Sequence, residues 1–523
     1  MIMKYWSLLS GIAMALLAAA GCVNKPDHDG GPGGDGPNDK KTVITAIMFE
    51  KKNNPSLEAD LPLEIYENGI VSGYVRNRGV DVTRLVATFV VTGEPDYVLT
   101  VGGREQRSGV TQGDFSREVV YRLAYGENGV KQYRVQLVPY TGLPVTVICT
   151  EDGKLPASKE IWCPATMAID GLGASESFAP QAIEIKRRGN STFGWPKKPF
   201  NIRLGAKQPV LGMNKQKRWA LLANHRDRTL LRNDVSLYIG QRFDALGWTP
   251  HAQYTEMIFN GEYVGNYQIT EQIRVDKNRV NITEMTAADT GGDALTGGYL
   301  LEFDGYNGEE INTFSTAEMG YPVTVKEPDE DVLGPVQFDY ITGYVNQVEA
   351  LLSEGRFDEA YDYIDVDSYV DYWLVQLLVG NTEAGKPFSY YMHKDRGGKL
   401  VAGPLWDFDY STFNSRFAES PRAETSVWHP YLVNDPVYKA KVKARFAEML
   451  PFLRTVPDYI RTQQERLRAS AAENWKLWKI ETASGEAITG NDDETLSSGE
   501  AIDRMVAYWA ARLAYVERYL RDL

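Results

Sequence analysis

The sequence predicts a multidomain chain in which an all-β sandwich precedes an α+β domain whose C-terminal half is helical. Three observations carry this. Short alternating apolar segments with glycine turns between them fill Val43 to Val138, the pattern of half-buried strands. Further strands continue to Phe303, and beyond Pro335 the apolar spacing becomes helical. One β segment, Phe388–His393 and Leu400–Leu405 about a turn at Gly397-Gly398, interrupts those helices.

In the first domain (43–139), Val43–Phe49, Leu85–Val91, Tyr97–Val101, Val119–Leu123 and Lys131–Val138 read as strands. Gly126-Glu127-Asn128-Gly129 is a turn between the last two. In the second domain (143–523), Pro144–Cys149, Trp162–Ile169, Ile183–Arg187 and Phe200–Leu204 read as strands. Thr229–Leu246 reads as a helix on its apolar set Leu230, Leu231, Val235, Leu237, Tyr238, Phe243 and Leu246, with Asp227 as a candidate N-cap. Tyr254–Phe259 and Tyr263–Thr270 flank Asn260-Gly261, the strongest short hairpin signal. Helices follow over Phe338–Leu352, Ser368–Val379, Val437–Leu450, Pro457–Trp478 and Ala501–Leu520.

The N-terminus reads as a leader. Lys4 supplies a charge, Leu8–Ala20 is apolar and small, and Ala19-Ala20-Gly21-Cys22 follows. Such a run is a secretory signal too short to span a bilayer. Residues 1–21 are therefore expected to be a signal peptide, and the Cys22 setting resembles a lipobox, which implies lipidation of its thiol. Residues 22–40, rich in Gly, Pro and Asp, cannot form a core and read as a flexible tether. Their acidity resembles the export signals of Bacteroidetes surface lipoproteins. The expected location is the cell envelope, lipid-anchored at the outer membrane on its surface or periplasmic face.

Composition narrows the function. The chain has 70 acidic against 56 basic residues and a net charge of −14, which argues against nucleic acid as a partner. Of three cysteines, Cys149 and Cys163 remain after Cys22 and are expected to form one disulfide in an oxidising compartment, two separate buried thiols being the alternative. The five histidines form no H-x-x-x-H, no Walker A or G-x-S-x-G segment occurs, and no kinase-type G-x-G-x-x-G loop occurs.

Four segments stand out together. They are Arg188-Gly189-Asn190-Ser191-Thr192 with Lys197-Lys198-Pro199-Phe200; Asn224-His225-Arg226-Asp227 with Leu231-Arg232-Asn233; Asn260 to Tyr267 with Glu271; and Gly380-Asn381-Thr382-Glu383 with Gly403-Pro404-Leu405-Trp406-Asp407-Phe408-Asp409. In this order and spacing they resemble the spore-coat CotH kinase family. A β-rich half followed by a helical half with an embedded hairpin is also the layout of protein kinases. The resemblance thus implies an atypical protein-kinase-like domain over 143–523. The segment Gln106-Arg107-Ser108-Gly109 with Asp114-Phe115-Ser116 resembles Ig-like modules at the front of such lipoproteins.

The resemblance implies phosphoryl transfer from ATP to a protein hydroxyl with Mg²⁺ or Mn²⁺. Its transition state spreads negative charge over phosphate oxygens, so cations and a metal must surround it. Arg188, Asn190, Ser191, Lys198, Asp227, Arg232 and Glu271 are the expected nucleotide contacts, while Lys197 reads as a surface cation. Asp407 and Asp409 are the expected metal ligands, and Glu383 with Asp407 the catalytic pair. Glu383 stands where the family usually has Asp. The family's metal-binding Asn after that acid has no counterpart; Lys386-Pro387-Phe388-Ser389 occupies the place, and only Ser389 offers an oxygen. The second reading is a pseudokinase that serves as a surface adhesion or assembly module.

Overall fold

The computed structural model describes residues 42–308, 310–383, 387–421, 426–479 and 491–523. The expected leader, Cys22 and tether lie outside the described residues. Among the described residues no helix is long and apolar enough to cross a membrane. The chain forms two compact units. One comprises the chain up to Ala223 with Gln253–Ile269 and Leu467–Trp478; the other comprises Asn224–Ala252, Thr270–Arg466 and Lys479–Leu523.

The first unit opens with an all-β region. Its strands hydrogen-bond in the order Thr88–Thr92, Val43–Phe49, Leu61–Ile65, Ile70–Tyr74, Gly129–Val138, Val119–Tyr125, Tyr97–Val101, Arg104–Glu105. Gly129–Val138 runs parallel to Ile70–Tyr74, and the other pairings are antiparallel. Alternate residues such as Phe49, Val71, Leu123 and Val135 bury completely into one core. The strand expected over Leu85–Val91 is broken in two. Leu85–Val86 pairs with Gln112–Gly113, Thr88–Thr92 pairs with Val43–Phe49, and buried Ala87 lies between.

A closed seven-stranded barrel follows, in the order Val145–Thr150, Cys163–Asp170, Phe178–Arg187, Phe200–Val210, Met213–Leu222, Glu262–Glu271, Ala252–Phe259. The parallel pairing of Val145–Ile148 with Glu256–Phe259 closes it. Closure removes the exposed sheet edge. Met167, Ile185, Ile202, Trp219 and Ile269 fill one buried cluster. The Asn260-Gly261 turn forms where expected, both residues having positive φ (+50° and +86°).

The expected Cys149–Cys163 bridge does not form, and Cys163 is a free thiol. The register explains this: Cys149 stands opposite Thr166, three residues from Cys163. An odd offset turns two side chains to opposite faces of a sheet and separates them by about 10 Å along the strand. Accordingly, Cys149 packs with Tyr66, Val138 and Ile258, whereas Cys163 packs against the cluster of Met167 and Trp219.

The second unit holds a five-stranded sheet in the order Thr313–Ser315, Pro322–Glu327, Tyr299–Phe303, Tyr390–Lys394, Leu400–Ala402. Its long helices include Pro335–Ser353, Val366–Val379, Pro436–Leu453 and Ser498–Asp522. Their starts follow local chemistry. Asp365 accepts from the Ser368 amide, Asp435 from those of Val437 and Tyr438, and Ser497 forms a capping box with Glu500. The helix expected over Thr229–Leu246 is shorter. It runs Arg232–Gly240, and a 3-10 turn at Asp244–Leu246 takes its end. Its N-cap residue is Leu231, not Asp227.

Candidate functional site

Helix Val366–Val379 ends in a left-handed glycine, Gly380 (φ +65°), the usual helix stop. A Cβ there would stand 2.2 Å from the Tyr508 hydroxyl. Gly380→Ala is therefore expected to lower stability by about 1–3 kcal/mol, read by urea denaturation; an unchanged midpoint would remove this constraint. Asn381 comes next, and its Oδ1 accepts the Glu383 amide at 2.9 Å. Its own amide groups bond back to Gln376 at the helix end. Glu383 is thus hung from a helix terminus.

The second arm of the site is the loop after strand Leu400–Ala402. The Phe408 amide donates to Asn233 Oδ1 at 2.7 Å, and Thr412 Oγ1 donates to Phe408 O at 2.6 Å. The Thr382 amide donates to Ser411 O at 3.4 Å, joining the two arms. Asp407 is exposed, whereas Asp409 is half-buried.

A third acid was not foreseen. Asp304, 8% exposed, follows strand Tyr299–Phe303, which pairs with Tyr390–Lys394. Its carboxylate accepts the amides of Tyr306 (2.7 Å) and Ser389 (3.2 Å). Ser389 has φ +52°, and its backbone, not its hydroxyl, makes this link. No motif marks Asp304 in the sequence; only its place at the end of an apolar strand could have drawn attention to it.

These carboxyls perturb one another. Burial first, then the charges of Asp407 and Asp304, push Glu383 up to about 8. Burial and Glu302, with Asp407 also contributing, push Asp304 up to about 6. Asp409 is held well above the usual carboxylate range by burial, by the charges of Asp407 and Asp227, and by a hydrogen bond with Asp407. Like charges gathered in a desolvated place retain protons.

Such a set of hard oxygen donors suits a divalent cation, which would relieve the repulsion. Among the described residues no group of three or more His, Cys, Asp or Glu side chains is arranged to hold a metal alone. Mg²⁺ generally takes one or two carboxylates and completes its shell with phosphate oxygens and water. The Asp407–Asp409 pair fits that use.

Asp227 and Arg232 lie buried behind the acid loop. The Arg232 guanidinium, 1% exposed, donates to Asp227 Oδ1 (2.6 Å), Asp493 Oδ2 (2.6 Å) and Thr412 O (3.0 Å). Burial lowers its pKa, but Asp493 and Asp227 together carry it above the ordinary value. Asp227 also accepts the amides of Thr229 and Arg232. Both residues, expected as nucleotide contacts, are buried and engaged with one another in the frame of the loop. Glu271 is also fully buried, and its Oε2 accepts the His251 amide at 2.9 Å and lies 2.9 Å from His251 Nδ1.

The remaining expected contacts belong to the first unit. Arg188, half-buried, donates its amide to Pro199 O, and Asn190 and Ser191 are exposed at a 3-10 turn. Lys198 is half-buried, with its ammonium 3.4 Å from Phe193 O and 3.5 Å from Gly194 O. Their neighbours are the interior residues. Arg187 is 7% exposed, bonds Phe193 O and stacks on the Phe193 ring at 4.2 Å. Lys197, expected at the surface, is 1% exposed. Its Nζ donates to Ala223 O (2.9 Å), Asn474 Oδ1 (2.8 Å) and Asn266 O, over the Tyr267 ring. Burial lowers its pKa to about 7.

The family model described as CotH kinase protein matches residues 185–516. A protein of Bacteroides fragilis NCTC 9343 with a known crystal structure is 17% identical over 19% of this chain and 96% of that chain. Its TM-score against this chain is 0.14. No curated protein matches the chain. With more than half of its length matched by that model, the chain belongs to the CotH kinase protein family.

Proposed function

We propose that the chain is an envelope phosphotransferase that moves the γ-phosphoryl group of ATP to a hydroxyl of a protein substrate. The observation that supports this is the carboxyl cluster of Glu383, Asp407, Asp409 and Asp304, with Glu383 raised to about 8. Asp407 and Asp409 would hold Mg²⁺ or Mn²⁺, which supplies charge neutralisation at the phosphates. Ionised Glu383 orients the acceptor hydroxyl and takes its proton as the new O–P bond forms, the bond to the β-phosphate oxygen breaks and ADP departs.

The sign of the pH dependence follows. Glu383 lies above its ordinary 4.5, so without a metal it is mostly protonated near neutral pH and cannot accept a proton. Transfer should therefore rise with pH through a limb above the ordinary carboxylate range and below about 8, because a metal on Asp407 offsets part of the charge that raises Glu383. Glu383→Gln should abolish that limb and reduce the rate by roughly 10²–10⁴-fold. The measurement is incorporation of labelled phosphate from ATP with Mg²⁺ or Mn²⁺, resolved by mass spectrometry. Absence of transfer at every pH between 6 and 9 would leave the second reading, a binding module on the same scaffold. That reading draws on the same raised pKa, because a protonated Glu383 is no base.

The proposed anchor is Cys22. Cys22→Ser is expected to move the protein from the membrane pellet to the soluble fraction after a salt wash. Retention in the pellet would show that another element holds it there.

A further inference from the structure

The loop that carries Asp407 and Asp409 is bent in a costly way. Asp407, Ser411 and Phe413 have φ of +66°, +64° and +50°. A non-glycine residue in that region costs on the order of 1–3 kcal/mol and persists only where its surroundings over-determine it. Several groups supply that determination. Asn233 takes the Phe408 amide, Arg232 bonds Thr412 O, and Val379 O accepts the Phe413 amide. The stretch from Asp409 to Ser411 is held by a residue distant in sequence.

That residue is Asn491, 3% exposed. Its Oδ1 accepts the Ser411 amide at 3.1 Å. Its Nδ2 donates to Asp409 O at 3.0 Å and to Arg226 O at 3.0 Å. The next three residues are anchored just as firmly. Asp492 Oδ2 accepts the Ser415 amide at 3.2 Å, Asp493 takes Arg232, and Glu494 takes Arg226 at 2.9 Å. Four consecutive side chains each hold a different part of the second unit. Two of them, Asn491 and Asp493, reach the acid loop, Asn491 directly and Asp493 through Arg232.

We infer that Asn491–Glu494 is a strap that sets the geometry of the Asp407–Asp409 carboxylates, and that Asn491 is its main positioning residue. The inference rests on the reading of Asp407 and Asp409 as metal carboxylates. A group that orients ligands through the backbone affects metal affinity at unchanged fold stability; a strap that merely stabilises the fold changes the melting point alone. Hydrogen-bonding partners of ligands typically contribute about 10–100-fold in metal affinity.

The test uses the full chain in detergent and Mn²⁺ alone as the probe, with free Mn²⁺ read by electron paramagnetic resonance. Amide hydrogen exchange over Asp409–Phe413 is measured in parallel. Asn491→Ala is expected to weaken Mn²⁺ binding by about 10-fold or more and to speed exchange in the loop by a similar factor. Lys441→Gln, which removes only an exposed ion pair with Asp367, should leave both within about twofold of the parent. Asn491→Ser, which keeps a short hydroxyl at the site, carries the test if the alanine variant does not fold. Mn²⁺ affinity and loop exchange both unchanged in the Asn491 variants would overturn the inference. If the parent chain binds no Mn²⁺, the metal reading fails, and the exchange measurement alone decides whether the strap holds the loop.

Discussion

Asp407→Asn is expected to reduce phosphoryl transfer by on the order of 10³-fold while leaving the fold intact. The reason for an intact fold is the backbone at this position. Asp407 sits at φ +66°, a region where asparagine is among the few side chains tolerated without a glycine. The substitution removes a charge without asking the loop to move. Loss of that charge should also lower the Glu383 titration midpoint, because after burial Asp407 is the largest cause of its elevation to about 8. Transfer is read with labelled ATP, folding by circular dichroism, and the Glu383 midpoint by carboxyl ¹³C resonances. Parent-level transfer from the variant would remove Asp407 from the site.

Arg232→Met should produce the largest loss of stability, about 3–5 kcal/mol by urea denaturation, since it strips the partner from two buried carboxylates. Asp227 and Asp493 each stand 2.6 Å from the guanidinium, and all three side chains are 1% exposed. Burial already holds Asp493 above its ordinary range with the arginine present. Without it the folded state would bind protons more tightly than the unfolded chain. The deficit should therefore shrink as pH falls through the raised folded value and grow as pH rises. Adding Asp493→Asn should recover part of the loss, because the two sites share one interaction. A single variant as stable as the parent would show that the triad contributes nothing.

What the sequence made legible was local. The Asn-Gly hairpin, the late helices and the strand Val43–Phe49 follow from periodicity and turn chemistry over a few residues. The motif around Glu383 and Asp407 was also visible, because its residues are close together in the chain and chemically conspicuous. The barrel was not. Its closing pair, Val145 with Glu256, spans more than a hundred positions, and its strand Met213–Leu222 carries Lys215, Lys217 and Arg218 among its apolar residues. Asp304 and Asn491 reach the acid site through folding alone, with no pattern around them. The expected surface position of Lys197 differs from the structure for a simpler reason. Between adjacent residues of an extended chain, one faces in and the next faces out, and composition does not say which. Arg187 and Lys197 face in; Arg188 and Lys198 are less buried.

Lys197 has one more consequence, which follows from counting hydrogens. Its nitrogen meets three oxygens, of Ala223, Asn266 and Asn474, which come from three separate stretches of the first unit. An ammonium carries three N–H groups and satisfies all three; a neutral amine carries two and leaves one oxygen unserved. Burial draws the group toward the neutral form, with its pKa lowered to about 7, while the three acceptors call for the proton. The side chain is a rivet whose number of arms changes by one when a proton leaves. At pH well below 7 it fastens three stretches of chain, and in alkaline medium it fastens two.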